Sequence, residues 1–215
     1  MNKILIATTN ENKVNRIKKL LSELDYEILS LKDIKKEIPE AKETANTPEG
    51  IAIEKALHYV NYLPENTLVL TQDDTIKLKG ISEEDDPKLS IKEPVRKKYG
   101  KFTDELAATY YSELANKYGG TIPVTFNYGH AIAIKTKADR NITRVIGASS
   151  KLEVRLVNNI HKLETSSGYF LEALIEANIN GNWIPYNDLD EKTLVELDND
   201  LYKAITYLLE NIKEI

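Results

Sequence analysis

The feature that most constrains the fold is the way a short apolar run passes directly into a polar turn. The sequence MNKILIATTNENK reads as a buried strand followed by the turn that opens a helix. That helix has apolar residues at helical spacing on one face, which are Val14, Ile17, Leu20, Leu21 and Leu24. The first turn of a helix carries unpaired N–H groups and the positive end of the helix dipole. The chain therefore begins with a predicted β–α unit whose turn can hold an anion.

The side chains in this turn suit a phosphate group. Thr8 and Thr9 supply hydroxyls, and Asn10 supplies an amide. Lys13 adds a full positive charge about one turn into the helix. These residues are predicted to bind phosphate without a Walker-type glycine-rich loop. The alternative is an ordinary β–α turn in which Thr9 or Asn10 caps the helix.

Two adjacent carboxylates form a second candidate site. Asp73 and Asp74 follow the predicted buried strand at residues 67–71. Carboxylates can act as a general base or as metal ligands. Neighbouring strand residues point to opposite faces, so the two chelate one ion only if the strand breaks there. Otherwise one binds metal while the other acts through water. The alternative is that the pair only starts a turn.

Composition excludes several classes of protein. A chain of 215 residues with 41% hydrophobic residues can build one large domain, or two lobes that share a core. No apolar run approaches the roughly 20 residues of a membrane span, and no secretory pattern is present. The absence of cysteine fits a cytoplasmic protein. A net charge of −5 argues against binding to duplex nucleic acid, although a nucleotide enzyme needs only a local basic pocket.

The order of predicted elements indicates a mixed α/β fold. Residues 81–102 form the most polar stretch and are predicted to be an exposed loop or flap. The three histidines lack metal-ligand spacing and are expected to be structural or exposed. Helices are predicted at residues 47–62, 103–118 and 198–212, and strands at residues 26–31, 67–71, 124–135, 143–146, 152–157 and 169–179.

Three motifs in this order resemble the inosine/xanthosine triphosphate pyrophosphatase family. Thr8, Asn10 and Lys13 match a strand, a Thr-x-Asn turn and a following Lys. The sequence ETANTPEGIAIEKA, residues 43–56, is similar to the family's Glu-Thr, Thr-Phe-x-Glu-Asn-Ala and Lys-Ala. QDDT at residues 72–75 is similar to Ala-Asp-Asp-Ser-Gly. The resemblance covers the chain in outline and is strong only over residues 1–75.

The resemblance implies a fold and an activity. Residues 1–215 would form one two-lobed α/β domain, an elongated mixed sheet flanked by helices with the active site in a central cleft. The protein would be a homodimer that hydrolyses nucleoside triphosphates to monophosphate and pyrophosphate with Mg²⁺ or Mn²⁺. Asp74 would be the catalytic base and Asp73 would bind or support the metal. Lys55 would contact the phosphates, and Thr75 would keep the hydroxyl of the family's Ser.

The sequence also departs from the family pattern. Gly50 stands where the family has its metal-binding Glu, so Glu49 is the expected replacement, with Glu54 as an alternative. The family's Ser-His-Arg, which reads the base, is absent from residues 198–204. Tyr169, with Phe170 as an alternative, is the candidate to stack on the base, or each is a core aromatic residue.

Three hypotheses follow from these observations. The first is a metal-dependent nucleoside triphosphate pyrophosphatase, with a non-canonical purine as the expected base. The second is a binding protein that keeps the phosphate site without catalysis, for which Gly50 is the main support. The third is a phosphohydrolase for another phosphorylated metabolite. Retention of Asp73, Asp74, Lys13 and Lys55 favours the enzymes.

Overall fold

The computed structural model describes residues 2–88, 90–136, 143–162 and 169–212. Its helices and strands follow the alternating pattern that the sequence predicts. In chain order they are β1 (Asn2–Ile6), α1 (Glu11–Leu20), β2 (Tyr26–Ser30), α2 (Pro48–Tyr59), β3 (Leu68–Leu78), α3 (Glu93–Tyr99), α4 (Asp104–Lys117), β4 (Thr121–Lys135), β5 (Thr143–Val157), β6 (Ile175–Ile179), β7 (Asn182–Pro185), α5 (Glu191–Leu197) and α6 (Asn199–Asn211).

The seven strands belong to one mixed sheet in the order β2-β1-β3-β4-β5-β6-β7. Strand β1 pairs in parallel with both β2 and β3. Strand β6 pairs antiparallel with both β5 and β7. A mixed sheet flanked by helices is the predicted fold class, and that prediction is confirmed. Among the described residues, none of the helices combines the length and apolar character that a membrane span requires.

The chain divides into two compact units. The first consists of residues 1–74, 128–150 and 198–215, and the second of residues 75–127 and 151–197. Strands β3, β4 and β5 contribute residues to both units. One two-lobed domain over residues 1–215 stays a prediction.

In the first unit, helices cover both faces of the sheet. Helices α1 and α6 pack on one face, against Leu68 and Leu70 of β3 and Ile132 of β4. Helix α2 packs on the other face, against Val69 of β3 and Ala131 of β4. We call these the α1/α6 face and the α2 face. Because successive strand residues alternate between faces, each side chain of β3 in this unit points towards only one of these two faces.

Helix α2 approaches the sheet closely at a glycine. Thr47 caps this helix by accepting a hydrogen bond from the Gly50 N–H at 3.1 Å, and Pro48 occupies its first turn. A Cβ atom on Gly129 of β4 would lie 2.1 Å from the backbone nitrogen of Glu49. Only glycine therefore allows the first turn of α2 to lie on β4.

The polar segment at residues 81–102 is not simply an exposed loop, so that prediction is wrong in part. Residues Glu93–Tyr99 form helix α3, and Val95 on this helix is fully buried. Asp85 accepts a hydrogen bond from Lys117 of α4 at 2.6 Å. The Tyr111 hydroxyl donates to the Ile91 carbonyl at 2.9 Å. The charged residues that suggested solvent exposure are partly paired with α4, which holds the segment in place.

The second half of the chain differs from the prediction in detail. Residues 143–157 form one continuous strand instead of two. Residues Phe170–Leu174, which were expected to be strand, form a 3₁₀ helix before β6. Sequence periodicity did not identify α5, which is too short for the pattern to stand out.

Candidate functional site

The turn after β1 has the local hydrogen bonds of a capped helix start. The Asn10 side-chain oxygen accepts from the Lys13 N–H at 3.4 Å, so Asn10 caps α1 as the alternative interpretation expected. The Thr8 hydroxyl accepts from the Asn10 N–H at 3.2 Å. Thr9 is exposed. The turn is thus preorganised, and a capped turn with exposed polar groups remains compatible with an anion site.

Strand β3 runs without a break through both aspartates. Asp73 therefore shares the α2 face with Val69, while Asp74 shares the α1/α6 face with Leu70. Asp74 forms an ion pair with Lys13 of α1. Lys55 of α2 binds Asp73, with 2.6 Å between Nζ and Oδ1. Each predicted carboxylate thus pairs with a predicted phosphate-binding lysine, and the two pairs lie on opposite faces of one strand.

On the α2 face, Lys55 lies between two carboxylates. Its Nζ atom is 2.6 Å from Asp73 and 2.9 Å from Glu43. Burial lowers the pKa of Lys55, but the hydrogen bonds to Asp73 and Glu43 outweigh this effect and the net pKa is raised. Burial raises the pKa of Asp73 in spite of the neighbouring Lys55. Sequence reasoning missed Glu43, although its place in the Glu-Thr motif was a usable signal.

Two glutamates that were considered as metal ligands have other contacts. The Glu49 side chain accepts a hydrogen bond from the Ser149 hydroxyl at 2.8 Å on β5. Glu54 accepts hydrogen bonds from the Thr44 hydroxyl, from the Thr44 N–H at 2.7 Å and from the Ala45 N–H at 3.1 Å. These bonds, with that of the Thr44 hydroxyl as the largest cause, lower the pKa of Glu54. Glu54 thus holds the loop that carries Glu43.

The surroundings of Gly50 leave no room for a side chain at this position, where the family has a glutamate. A Cβ atom on Gly50 would lie 2.8 Å from the Ala45 Cβ and 3.0 Å from the Thr47 hydroxyl. Real Cβ atoms essentially never approach another atom so closely. The loop that carries Glu43 therefore occupies the space that a side chain at position 50 would need.

On the α1/α6 face, a second ion pair lies one helical turn beyond Lys13. Arg16 donates through Nε to Asp198 at 2.7 Å and also through Nη2, which makes the contact bidentate. Its guanidinium lies 5.0 Å from the ring centroid of Tyr128. Asp198 stands at the N-cap position of α6 and has a suitable residue type, but it makes no side-chain cap hydrogen bond because its carboxylate binds Arg16.

His130 is a fully buried residue of this face. Its Nε2 atom lies 2.8 Å from the Ser150 hydroxyl, and its ring stacks against Tyr128 with centroids 6.3 Å apart. Burial, with smaller effects from Arg16 and Lys13, lowers the pKa of His130 to about 3. The imidazole is therefore neutral at physiological pH.

The remaining predicted site residues belong to the second unit. Thr75 follows Asp74 on β3 and is half-buried. Tyr169 is half-buried and its ring centroid is 5.7 Å from that of Phe170. Residues 163–168, which precede Tyr169, lie outside the described part of the chain. Among the described residues, no three Asp, Glu, His or Cys side chains group as a metal site.

The fold and the paired charges define a class, namely α/β proteins with a capped polar turn after the first strand and carboxylate–lysine pairs on the adjoining strand. Residues 4–88 match the sequence model of the Ham1 family. The chain is 39% identical over 75 residues to a dITP/XTP pyrophosphatase of Clostridium tetani, a match that covers 35% of this chain and 37% of that relative. Over residues 4–88 the chain is thus similar to the Ham1 family, in line with the resemblance of its sequence motifs.

Solved structures extend the likeness in fold to the whole chain. A Ham1 protein from Coxiella burnetii matches with a TM-score of 0.67 and 16% identity, over 98% of this chain and 100% of that one. A Staphylococcus aureus Ham1 protein matches with a TM-score of 0.59 and 17% identity, over 99% of both chains. At such identity the likeness establishes the fold alone.

The neutral, buried His130 predicts how stability depends on pH. An unfolded histidine binds a proton below about pH 6.5, whereas folded His130 does so only below about 3. Between these values the unfolded state binds more protons, so the free energy of unfolding falls as the pH is lowered. The slope from this residue approaches about 1.4 kcal/mol per pH unit. His130→Leu should remove this slope in urea titrations between pH 6.5 and 4.

His58→Leu is the control for this measurement. His58 is half-buried, and its Nε2 atom lies 2.8 Å from the Pro39 carbonyl. An equal loss of slope in both variants would contradict the assignment to His130.

Proposed function

We propose that this protein hydrolyses nucleoside triphosphates to the monophosphate and pyrophosphate. The observation that carries the proposal is the Lys13–Asp74 pair beside the capped turn after β1. It joins a phosphate-binding cation to a carboxylate that is suited to activate water. Similarity to the dITP/XTP pyrophosphatase of Clostridium tetani supports the same reaction and a non-canonical purine base. The homodimer that the resemblance implies is part of this proposal.

In the proposed reaction, Asp74 accepts a proton from water while the water oxygen attacks the α-phosphorus. The bond between the α-phosphorus and the oxygen that bridges to the β-phosphate breaks, and pyrophosphate leaves with that oxygen. Asp74 then releases the proton to solvent. A carboxylate in this role typically contributes a rate factor of about 10²–10⁴.

The two lysines change partner when the substrate binds. Without substrate, Lys13 neutralises Asp74 and Lys55 neutralises Asp73. A triphosphate carries several negative charges, so it competes for both ammonium groups. Transfer of Lys13 to a phosphate oxygen frees Asp74 to act as a base. Each lysine thus neutralises its aspartate until a phosphate group takes the place of that aspartate as the partner of the lysine.

The carboxylates around Lys55 are our candidates to hold a divalent cation. The Lys55 ammonium already lies between the carboxylates of Asp73 and Glu43, so a positive charge is favoured there. Mg²⁺ typically uses one or two carboxylates together with substrate phosphates and water. We propose that Asp73 holds Mg²⁺ or Mn²⁺ with Glu43 or Glu49 as its partner, and the charge pattern around Lys55 favours Glu43. The metal would neutralise charge on the triphosphate.

A catalytically impaired nucleotide-binding protein is the second candidate function. The close approach of Ala45 to Gly50 favours it, because no carboxylate can stand at that position without moving the loop. The two candidates differ in turnover and not in binding. Pyrophosphate release across inosine, xanthosine, deoxyinosine, deoxyuridine and the four standard triphosphates decides between them.

Replacing the proposed base should abolish turnover and leave binding intact. Asp74→Asn removes the proton acceptor and also frees Lys13 for phosphate. We expect pyrophosphate release from deoxyinosine triphosphate to fall by about 10³-fold, while calorimetric affinity is unchanged or higher. Asp200→Asn, at an exposed position of α6, is the control. Normal turnover by Asp74→Asn would remove Asp74 from the mechanism.

Replacing the glutamates separately tests the metal site. If Glu43 holds the cation with Asp73, Glu43→Gln should raise the Mg²⁺ concentration for half-maximal rate roughly tenfold, as loss of one carboxylate ligand would. Glu49→Gln should then change it little. Magnesium titrations of pyrophosphate release measure both values. The opposite order would assign the metal to Glu49 and contradict the preference for Glu43.

A further inference from the structure

Two buried polar side chains on the α1/α6 face each have a nitrogen without a partner. Gln72 is 6% exposed and His130 is 0% exposed. Within the described part of the chain, neither Gln72 Nε2 nor His130 Nδ1 has a hydrogen-bond partner. The other ring nitrogen of His130 lies 2.8 Å from the Ser150 hydroxyl. Neither residue belongs to the proposed catalytic or phosphate-binding groups.

The sheet places these two side chains opposite each other. Strands β3 and β4 are neighbours in the sheet. The Asn66 N–H donates to the Lys135 carbonyl, and at the other end of β3 the Lys79 N–H donates to the Pro123 carbonyl. The pairing is therefore antiparallel and brings the position opposite Gln72 to within one residue of His130. Because Leu70 and Ile132 share the α1/α6 face, Gln72 and His130 share it too.

The energetic cost of leaving both nitrogens unpaired implies a ligand between them. A buried polar group without a hydrogen-bond partner loses its contact with water and gains nothing in return, which destabilises the folded state. Side chains directly opposite on an antiparallel pair have Cβ atoms about 5 Å apart. One small polar atom can therefore reach both nitrogens.

The chemistry of the two nitrogens selects a hydroxyl-type oxygen. The Gln72 amide nitrogen can only donate a hydrogen bond. The His130 Nδ1 atom accepts or donates, depending on which nitrogen carries the proton in its bond with Ser150. A hydroxyl oxygen satisfies both cases, since it accepts two hydrogen bonds or accepts one and donates one.

This oxygen would lie beside the proposed base. Asp74 is the next residue of β3 on the same face, about 7 Å along the strand from Gln72. We propose that Gln72 and His130 form a binding site for one hydroxyl oxygen next to Asp74, supplied by a water molecule or by a hydroxyl group of the substrate sugar. The sugar alternative rests on the proposed function, whereas the water alternative does not.

The ¹⁵N chemical shifts of the His130 ring nitrogens test this proposal directly. The chain has three histidines, so loss of one pair of signals in His130→Leu assigns them. We expect Gln72→Met to shift the Nδ1 signal in the absence of nucleotide, because the bound oxygen loses its second partner. Thr71→Val is the matched control on the α2 face of the same strand, where the Thr71 hydroxyl donates to the Ala52 carbonyl at 2.6 Å. It should leave the signal unchanged.

A second measurement identifies the source of the oxygen. A non-hydrolysable inosine triphosphate analogue and its 2′-deoxy counterpart are added to wild type and to Gln72→Met. If the His130 Nδ1 shift already differs between wild type and Gln72→Met without nucleotide, the bound oxygen belongs to water. If the two shifts differ only when nucleotide is present, the oxygen belongs to a sugar hydroxyl. A His130 Nδ1 signal unaffected by Gln72→Met in both conditions would overturn the proposal. If Gln72→Met fails to fold, Gln72→Asn replaces it.

These results are independent of turnover. Absence of pyrophosphate release in wild type would contradict the proposed function, while the nucleotide-free shift would still establish the oxygen site. Normal release with an unresponsive His130 would contradict the oxygen site alone.

Discussion

The alternation of side chains along strand β3 is the constraint on which the site depends. Because β3 continues unbroken, Asp73 and Asp74 point to opposite faces and meet different helices. Asp74 meets Lys13 of α1, and Asp73 meets Lys55 of α2. Two adjacent carboxylates in the sequence thereby become two separate charge pairs. A shift of one residue in strand register would exchange their partners and separate each carboxylate from its lysine.

Close packing of α2 supports the second of these pairs. Gly129 lets the first turn of α2 lie on β4, and Gly50 lets the preceding loop lie on that turn. Glu54 binds the backbone of the loop and so fixes Glu43 beside Lys55. Gly50, which stands where the family has a carboxylate, is therefore part of the packing that brings the Glu43 carboxylate to Lys55.

The sequence predicted the elements whose physical signals are local. The β–α unit at the N-terminus, the start of α2 at Thr47 and the amphipathic α6 follow from periodicity and capping chemistry. Lys13, Lys55, Asp73 and Asp74 were also identified, because their motifs are short and contiguous. The structure adds which lysine belongs to which aspartate, through the face that each strand residue occupies.

What sequence reasoning missed depends on contacts between distant segments. Asp198 has the residue type of a helix cap, but Arg16 from α1 binds its carboxylate. The polar composition around residue 95 concealed a helix, since one buried valine is too weak a periodic signal. Glu43 lies in a loop whose position is set by Glu54 and Gly50. Such relations are long-range consequences of packing and leave little trace in local composition.

We propose that the two lysine–aspartate pairs of β3 form the binding site of a magnesium triphosphate. A crystal structure with Mg²⁺ and a non-hydrolysable deoxyinosine triphosphate analogue tests it most directly. We expect the Lys13 and Lys55 ammonium groups to contact phosphate oxygens, with Asp74 released from Lys13 and facing the α-phosphorus. A nucleotide bound elsewhere, with both ion pairs intact, would contradict this proposal.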